Sequence, residues 1–228
     1  RLAGTRSAGG LANIAEIKSL ASLPGTRREL IAIARALGSG EEQLKLGPQA
    51  REPEIKQWQS LRQARVIAFA THAMLPNELA GSQEPGLVLT PPAMASANDD
   101  GYLSASEAAQ LRLSADWVIL SACNTAGSDG RPGGESLSGL GRAFLFAGAR
   151  SLLVSHWPVD DTVGAAITSE TFRILAAQPT TTRAEAYRLA LQGIRTGSSA
   201  LGGPVEGWKP AWADPWAWAP FTLIESGS

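Results

Sequence analysis

Three short apolar runs constrain this chain more than any other feature: Arg65-Val66-Ile67-Ala68-Phe69-Ala70, Asp116-Trp117-Val118-Ile119-Leu120 and Ser151-Leu152-Leu153-Val154. An unbroken apolar run of this length, without polar alternation, reads as a strand buried on both faces. Such strands belong to parallel sheets, which need helical crossovers. The intervening segments predict those helices at Thr26 to Leu37, Glu54 to Gln63, Ser104 to Leu113, Glu135 to Ala147, Thr162 to Ala177 and Arg183 to Arg195. Thr26 with Glu29, and Ser104 with Glu107, have capping-box spacing, while Gly38 and Gly148 are stop signals. A last strand is expected around Pro220–Ile224. The fold class is therefore α/β, a three-layer α/β/α sandwich with a mostly parallel central sheet.

In such sheets, reactive groups gather outside the carboxyl ends of the strands. Two chemically active side chains fall there. His72 follows the first run, and Cys123, the only cysteine of 228 residues, follows the second. A free cysteine in this position is either a small inert core residue or an exposed nucleophile served by a histidine. Histidine leading cysteine by about fifty residues is the spacing of caspase-type peptidases. His156, just past the third run, is a rival for the same role, although Trp157 and Pro158 beside it suggest a packed structural histidine. One cysteine and two scattered histidines lack metal-ligand spacing, so no metal is expected. Gly127–Gly134 is followed by Glu135 and not by Gly-Lys-Ser/Thr, which argues against a phosphate cradle and for an active-site loop. No cofactor is implied. A redox sensor is disfavoured, because no second cysteine could resolve a sulfenic acid.

Residues 1–25, rich in Gly, Ala and Ser, read as a loop or linker holding one short helix, and 26–228 as a single domain. Ala73 to Gly101 reads as a long surface connection with one strand-like island at Leu87-Val88-Leu89. Trp208, Trp212, Trp216 and Trp218 are expected to pack against the body. Lys and Arg number 20 against 21 Asp and Glu, which implies neither a nucleic-acid nor an anionic membrane partner. There is no apolar stretch long enough to span a bilayer, and no internal disulfide is possible, so a cytoplasmic location fits. The chain opens on Arg1 and reads as a piece of a longer protein or a processed product.

The strings FATHA, GLVLTPP, DDGYLSASEAAQLRL, DWVILSACNTAG, GGESLSGLGRAFLFAGARSLLVSHWPVDD and DPWAWAPFTL, in order from about Pro24 to Leu223, together resemble the CHAT domain. This is a caspase-like domain often joined to tetratricopeptide repeats in bacterial proteins. The resemblance implies a caspase-like fold and, in active members, cleavage of a protein or peptide substrate by a Cys–His dyad. Its histidine falls on His72 and its nucleophile on Cys123, with an oxyanion hole formed by the backbone N–H groups of Cys123 and Ala73. An upstream repeat region or regulatory partner would gate the activity. Relatives usually carry glycine where this chain has Ala73. If the backbone there needs φ > 0, alanine costs on the order of 1 kcal/mol and turns the N–H away, leaving a docking module in place of an enzyme. Asp160 and Asp161 fall beside the expected substrate pocket. The related separases have a similar stretch and prefer arginine before the cut, so these carboxylates imply a Lys or Arg preference. Asp161 also reads as the N-cap of the following helix.

Overall fold

The computed structural model describes residues 10–121, 139–156 and 161–226, the side chain of Asp161 excepted. Elements follow in chain order as α1 (Ile14–Ser19), α2 (Pro24–Ala36), α3 (Glu52–Gln57), α4 (Gln59–Gln63), β1 (Val66–Ala70), β2 (Ala73–Met74), β3 (Gly86–Val88) and β4 (Tyr102–Ser104). Then come α5 (Ala105–Ala108), β5 (Trp117–Ser121), α6 (Gly139–Phe146), β6 (Ser151–Ser155), α7 (Asp161–Ala177), α8 (Arg183–Thr196), α9 (Pro215–Trp218) and β7 (Phe221–Glu225). The expected class holds: mixed α/β with a mostly parallel central sheet. No described helix is long and apolar enough to cross a membrane.

The chain divides into two compact units. The first comprises Arg1–Ser22, Leu46–Trp157 and Ile224–Ser228. Its sheet runs in the order β1-β5-β6. β1 pairs with β5 in parallel, Ala70 opposite Ser121, and β5 pairs in parallel with β6, Leu120 opposite Val154. The apolar runs explain this. Val118, Ile119, Leu120, Leu152, Leu153 and Val154 are all buried, as strands covered on both faces must be. α6 lays Leu140, Ala143 and Phe144 into the same core, and Phe144 meets Phe69 with ring centroids 5.3 Å apart. Gly148 then turns the chain at φ +114, where a Cβ would stand 2.3 Å from the Leu113 carbonyl oxygen. At the amino edge of the sheet, Asp116 accepts from Arg65 Nε at 2.6 Å and Arg150 Nη1 at 2.9 Å, tying together the starts of β1, β5 and β6. Burial works against that charge, but the two guanidiniums outweigh it and hold the carboxyl below its ordinary range.

The segment Ala73 to Gly101 is not a surface connection. β2 and β3 within it pair antiparallel and continue to β4 as a second, three-stranded sheet. Leu87, Leu103, Leu79, Asp99 and Asp100 are buried. Strands of two or three residues are too short to show periodicity, which is why the sequence conceals them. The capping box of Ser104 and Glu107 forms as expected, although α5 stops at Ala108. The expected helix over Glu54–Gln63 is two helices, interrupted at Trp58, whose ψ of 104 is extended.

The second unit comprises Leu23–Lys45 and Pro158–Leu223. α2 packs on α7, and α7 on α8. α2 begins two residues before Thr26. Pro24 occupies its first turn, a position for which its fixed φ is suited, and the Thr26 hydroxyl donates back to the Leu23 carbonyl instead of capping. Ile174, Ala186 and Ala190 form a small core, and Tyr187 donates its hydroxyl proton to the Phe221 carbonyl at 2.7 Å. The tryptophans divide. Trp212 is buried, Trp208 donates to the Ile194 carbonyl and Trp218 lies under the Arg195 guanidinium, but Trp216 stays 69% exposed.

Candidate functional site

The carboxyl edge of the parallel sheet is where β1, β5 and β6 end side by side, at Ala70, Ser121 and Ser155. His72 stands two residues beyond Ala70 and is half-buried. Its backbone is pinned by the second sheet: the Val88 N–H donates to the His72 carbonyl at 2.9 Å, and the Thr71 hydroxyl donates to the Val88 carbonyl at 2.6 Å. Its ring is held from the other direction. Nε2 lies 2.7 Å from the carbonyl oxygen of Ala21, which follows α1. A carbonyl can only accept, so Nε2 carries the proton and donates, and in the neutral ring Nδ1 is the unprotonated nitrogen. A histidine held in this tautomer has one basic atom available for proton transfer.

Ala73 opens β2 directly after the histidine. Its backbone is extended, since Asn77 is the sole described non-glycine residue with positive φ. The left-handed strain anticipated for an alanine here therefore does not arise. Because Val88 N–H bonds to the His72 carbonyl, the alternation of the antiparallel ladder makes Ala73 and Leu87 the neighbouring non-bonded pair. The Ala73 N–H consequently points away from β3, and β2 is the edge of its sheet.

His156 is half-buried one residue past β6, on the opposite side of β5 from His72. Both histidines thus flank the end of the central strand. Cys123 lies outside the described residues, as do Gly127–Gly134, Trp157, Pro158 and Asp160; Asp161 opens α7 with its side chain also outside them. The structure brings His72 and Ala73 together at the end of β1 and leaves the other expected site residues undescribed. Among the described residues, no group of three His, Cys, Asp or Glu side chains could hold a metal ion. One participant escapes sequence reasoning altogether. The Ala21 carbonyl is a backbone atom, and any residue would supply it.

Comparison with known proteins gives two findings. The model of the family described as CHAT domain matches residues 10–226. Tetratricopeptide repeat protein 28 of Mus musculus is 29% identical over 233 residues, covering 90% of this chain and 9% of that protein. The chain therefore spans less than a tenth of the length of the curated relative it matches.

Proposed function

From the premise that this chain belongs to the CHAT domain family, a caspase-like family, we propose that it is a cysteine endopeptidase in which His72 and Cys123 act as a dyad. The observation that carries this reading is the register of β1 on β5. Ala70 stands opposite Ser121, and His72 and Cys123 each follow by two residues. The separation of histidine and cysteine in the chain is therefore the register offset of two adjacent parallel strands, whose axes run about 4.8 Å apart.

The chemistry follows from the His72 tautomer. Nδ1 takes the thiol proton of Cys123, and the thiolate sulfur attacks the scissile carbonyl carbon. Negative charge on the resulting tetrahedral oxygen is met by the N–H groups of Cys123 and Ala73. The extended backbone and outward N–H of Ala73 support the second donor. The imidazolium then returns its proton to the leaving amine, and the C–N bond breaks to leave a thioester on Cys123. Nδ1 next deprotonates a water, which attacks the thioester, releases the carboxylic acid and restores the thiol. The Nε2–H···O bond to Ala21 persists through both ring states, because the imidazolium donates from both nitrogens. Asp160 and Asp161 give the enzyme a preference for Lys or Arg before the cut. A reducing compartment such as the cytoplasm keeps the thiol free. Regulation by a repeat region is supported by the tetratricopeptide-repeat relative.

A mixed peptide library incubated with the chain and analysed by mass spectrometry tests this. Cleavage by the unaltered chain, abolished in Cys123→Ala and in His72→Gln, is the expected result. Equal cleavage by all three proteins would dismiss the dyad.

A further inference from the structure

The His72 ring is held by a carbonyl that belongs to neither sheet, so its position depends on whatever fixes the segment around α1. Two carboxylates do this. Asp100, buried, accepts the Ala12 N–H on Oδ2 at 2.7 Å and the Tyr102 N–H on Oδ1 at 3.1 Å. Glu16 accepts the Ala80 N–H on Oε2 at 2.9 Å and the Asn13 side-chain amide on Oε1 at 2.9 Å. The Asn13 N–H adds a bond to the Ala80 carbonyl at 3.0 Å. α1 leads from Ala12 toward Ala21 with Glu16 in its first turn, capped by the Asn13 side chain and seated by buried Ile17 among Leu79, Val88 and Tyr102. A capped helix transmits position from one end to the other, so a shift at Ala12 or Glu16 reaches the Ala21 carbonyl.

We infer that Asp100 and Glu16 are positioning residues for His72, acting through the strap of residues Ala12 to Ala21. This rests on the peptidase reading for its functional consequence but not for its structural one. Each carboxylate receives N–H donors on both of its oxygens. A carboxamide has one oxygen and one NH2 group, so it can satisfy one donor only and must turn its own N–H toward the other. Asp100→Asn and Glu16→Gln therefore cut the anchors while keeping side-chain size. Upstream chain that displaced the strap would act on the ring by the same route.

The test uses the full chain, uniformly labelled with nitrogen-15, and reads the His72 Nε2–H proton by NMR at low temperature, assigned by its absence in His72→Gln. In Asp100→Asn and in Glu16→Gln, solvent exchange of that proton should accelerate about tenfold or more, while kcat on a library-derived peptide falls roughly tenfold with KM unchanged. Glu185→Gln, an exposed carboxylate on α8, should leave both readouts unaltered. Folded variants with wild-type exchange at His72 Nε2 would overturn the inference. Should Asp100→Asn fail to fold, the half-buried Glu16 position decides alone. The NMR arm does not need activity: exchange that responds to the anchors in a chain without peptidase activity keeps the strap and removes the peptidase reading. Active variants with unaltered exchange and kcat do the reverse.

Discussion

Replacing Lys56 by methionine isolates a buried charge cluster beneath the strap. Lys56 Nζ contacts Glu52 Oε1 and lies 2.9 Å from Glu107 Oε1, while Glu52 Oε2 accepts the Asp100 N–H at 2.9 Å. The Glu52 side chain is 0% exposed and that of Glu107 11%, so one ammonium serves two carboxylates largely out of water. Burial pushes the Glu52 carboxyl up to about 7, and Lys56 and the Asp100 amide only partly counter it. Glu107, although also opposed by burial, is held below its ordinary range by Lys56 and by Ser104. The two acids thus share one cation unequally.

Because Glu52 in the folded chain binds a proton that the unfolded chain has already lost, the contribution of Glu52 to stability falls as pH rises from 4.5 to about 7 and levels above. Lys56→Met removes the group that favours ionisation, which moves the Glu52 pKa higher still and extends the loss to higher pH. Breaking a buried pair by deleting one partner costs about 3–5 kcal/mol, and the 27% exposure of Lys56 places this site toward the lower end. At pH 8 the variant should therefore be less stable than wild type by about 3 kcal/mol. At pH 5, with Glu52 protonated, only the largely buried Lys56–Glu107 contact is lost, and the deficit should shrink to about 1.5 kcal/mol, the value of one hydrogen bond between charged groups. Urea unfolding followed by tryptophan fluorescence at both pH values measures this. Equal deficits at pH 5 and pH 8, or a deficit below about 1 kcal/mol at pH 8, would mean that Lys56 does not neutralise a buried Glu52.

Gly148→Ala forces a Cβ to 2.3 Å from the Leu113 carbonyl at φ +114 and should destabilise the first unit by about 2–3 kcal/mol, read as a lowered melting temperature. Tyr187→Phe leaves the Phe221 carbonyl without its 2.7 Å donor in a buried setting and should cost about 1 kcal/mol; a loss under about 0.3 kcal/mol would mean that water replaces the hydroxyl.

Where the sequence speaks clearly, the reason is that burial on both faces leaves an unmistakable apolar run. β1, β5, β6 and β7 lie within a residue of their expected limits, and the Ser104 capping box forms because its two partners are fixed by local spacing. Competition between local signals explains the misplacement of the α2 start, where Pro24 outweighs Thr26. The second sheet was illegible for a different reason. Leu87 and Leu103 are fully buried, yet they sit on strands of three residues amid glycine, proline and aspartate. Trp216 departs from its three neighbours by staying exposed on the short helix α9. At the site, His72 stands where strand-end chemistry predicts it. The Ala21 carbonyl that orients it, and the carboxylates that hold Ala21, leave no trace in residue type, since their roles come from long-range contact alone.

If His72 serves Cys123, the chain's single cysteine reports it directly. Alkylation by iodoacetamide, followed by intact mass, reports the reactivity of this one thiol without a substrate. At pH 6.5 the unaltered chain should react about tenfold faster than His72→Gln, while His156→Gln should match the unaltered chain, because only a thiol that can pass its proton to a neighbouring base is substantially ionised there. Identical rates in the unaltered chain and His72→Gln would mean that His72 does not serve Cys123, and a slow rate confined to His156→Gln would move the dyad to the other histidine.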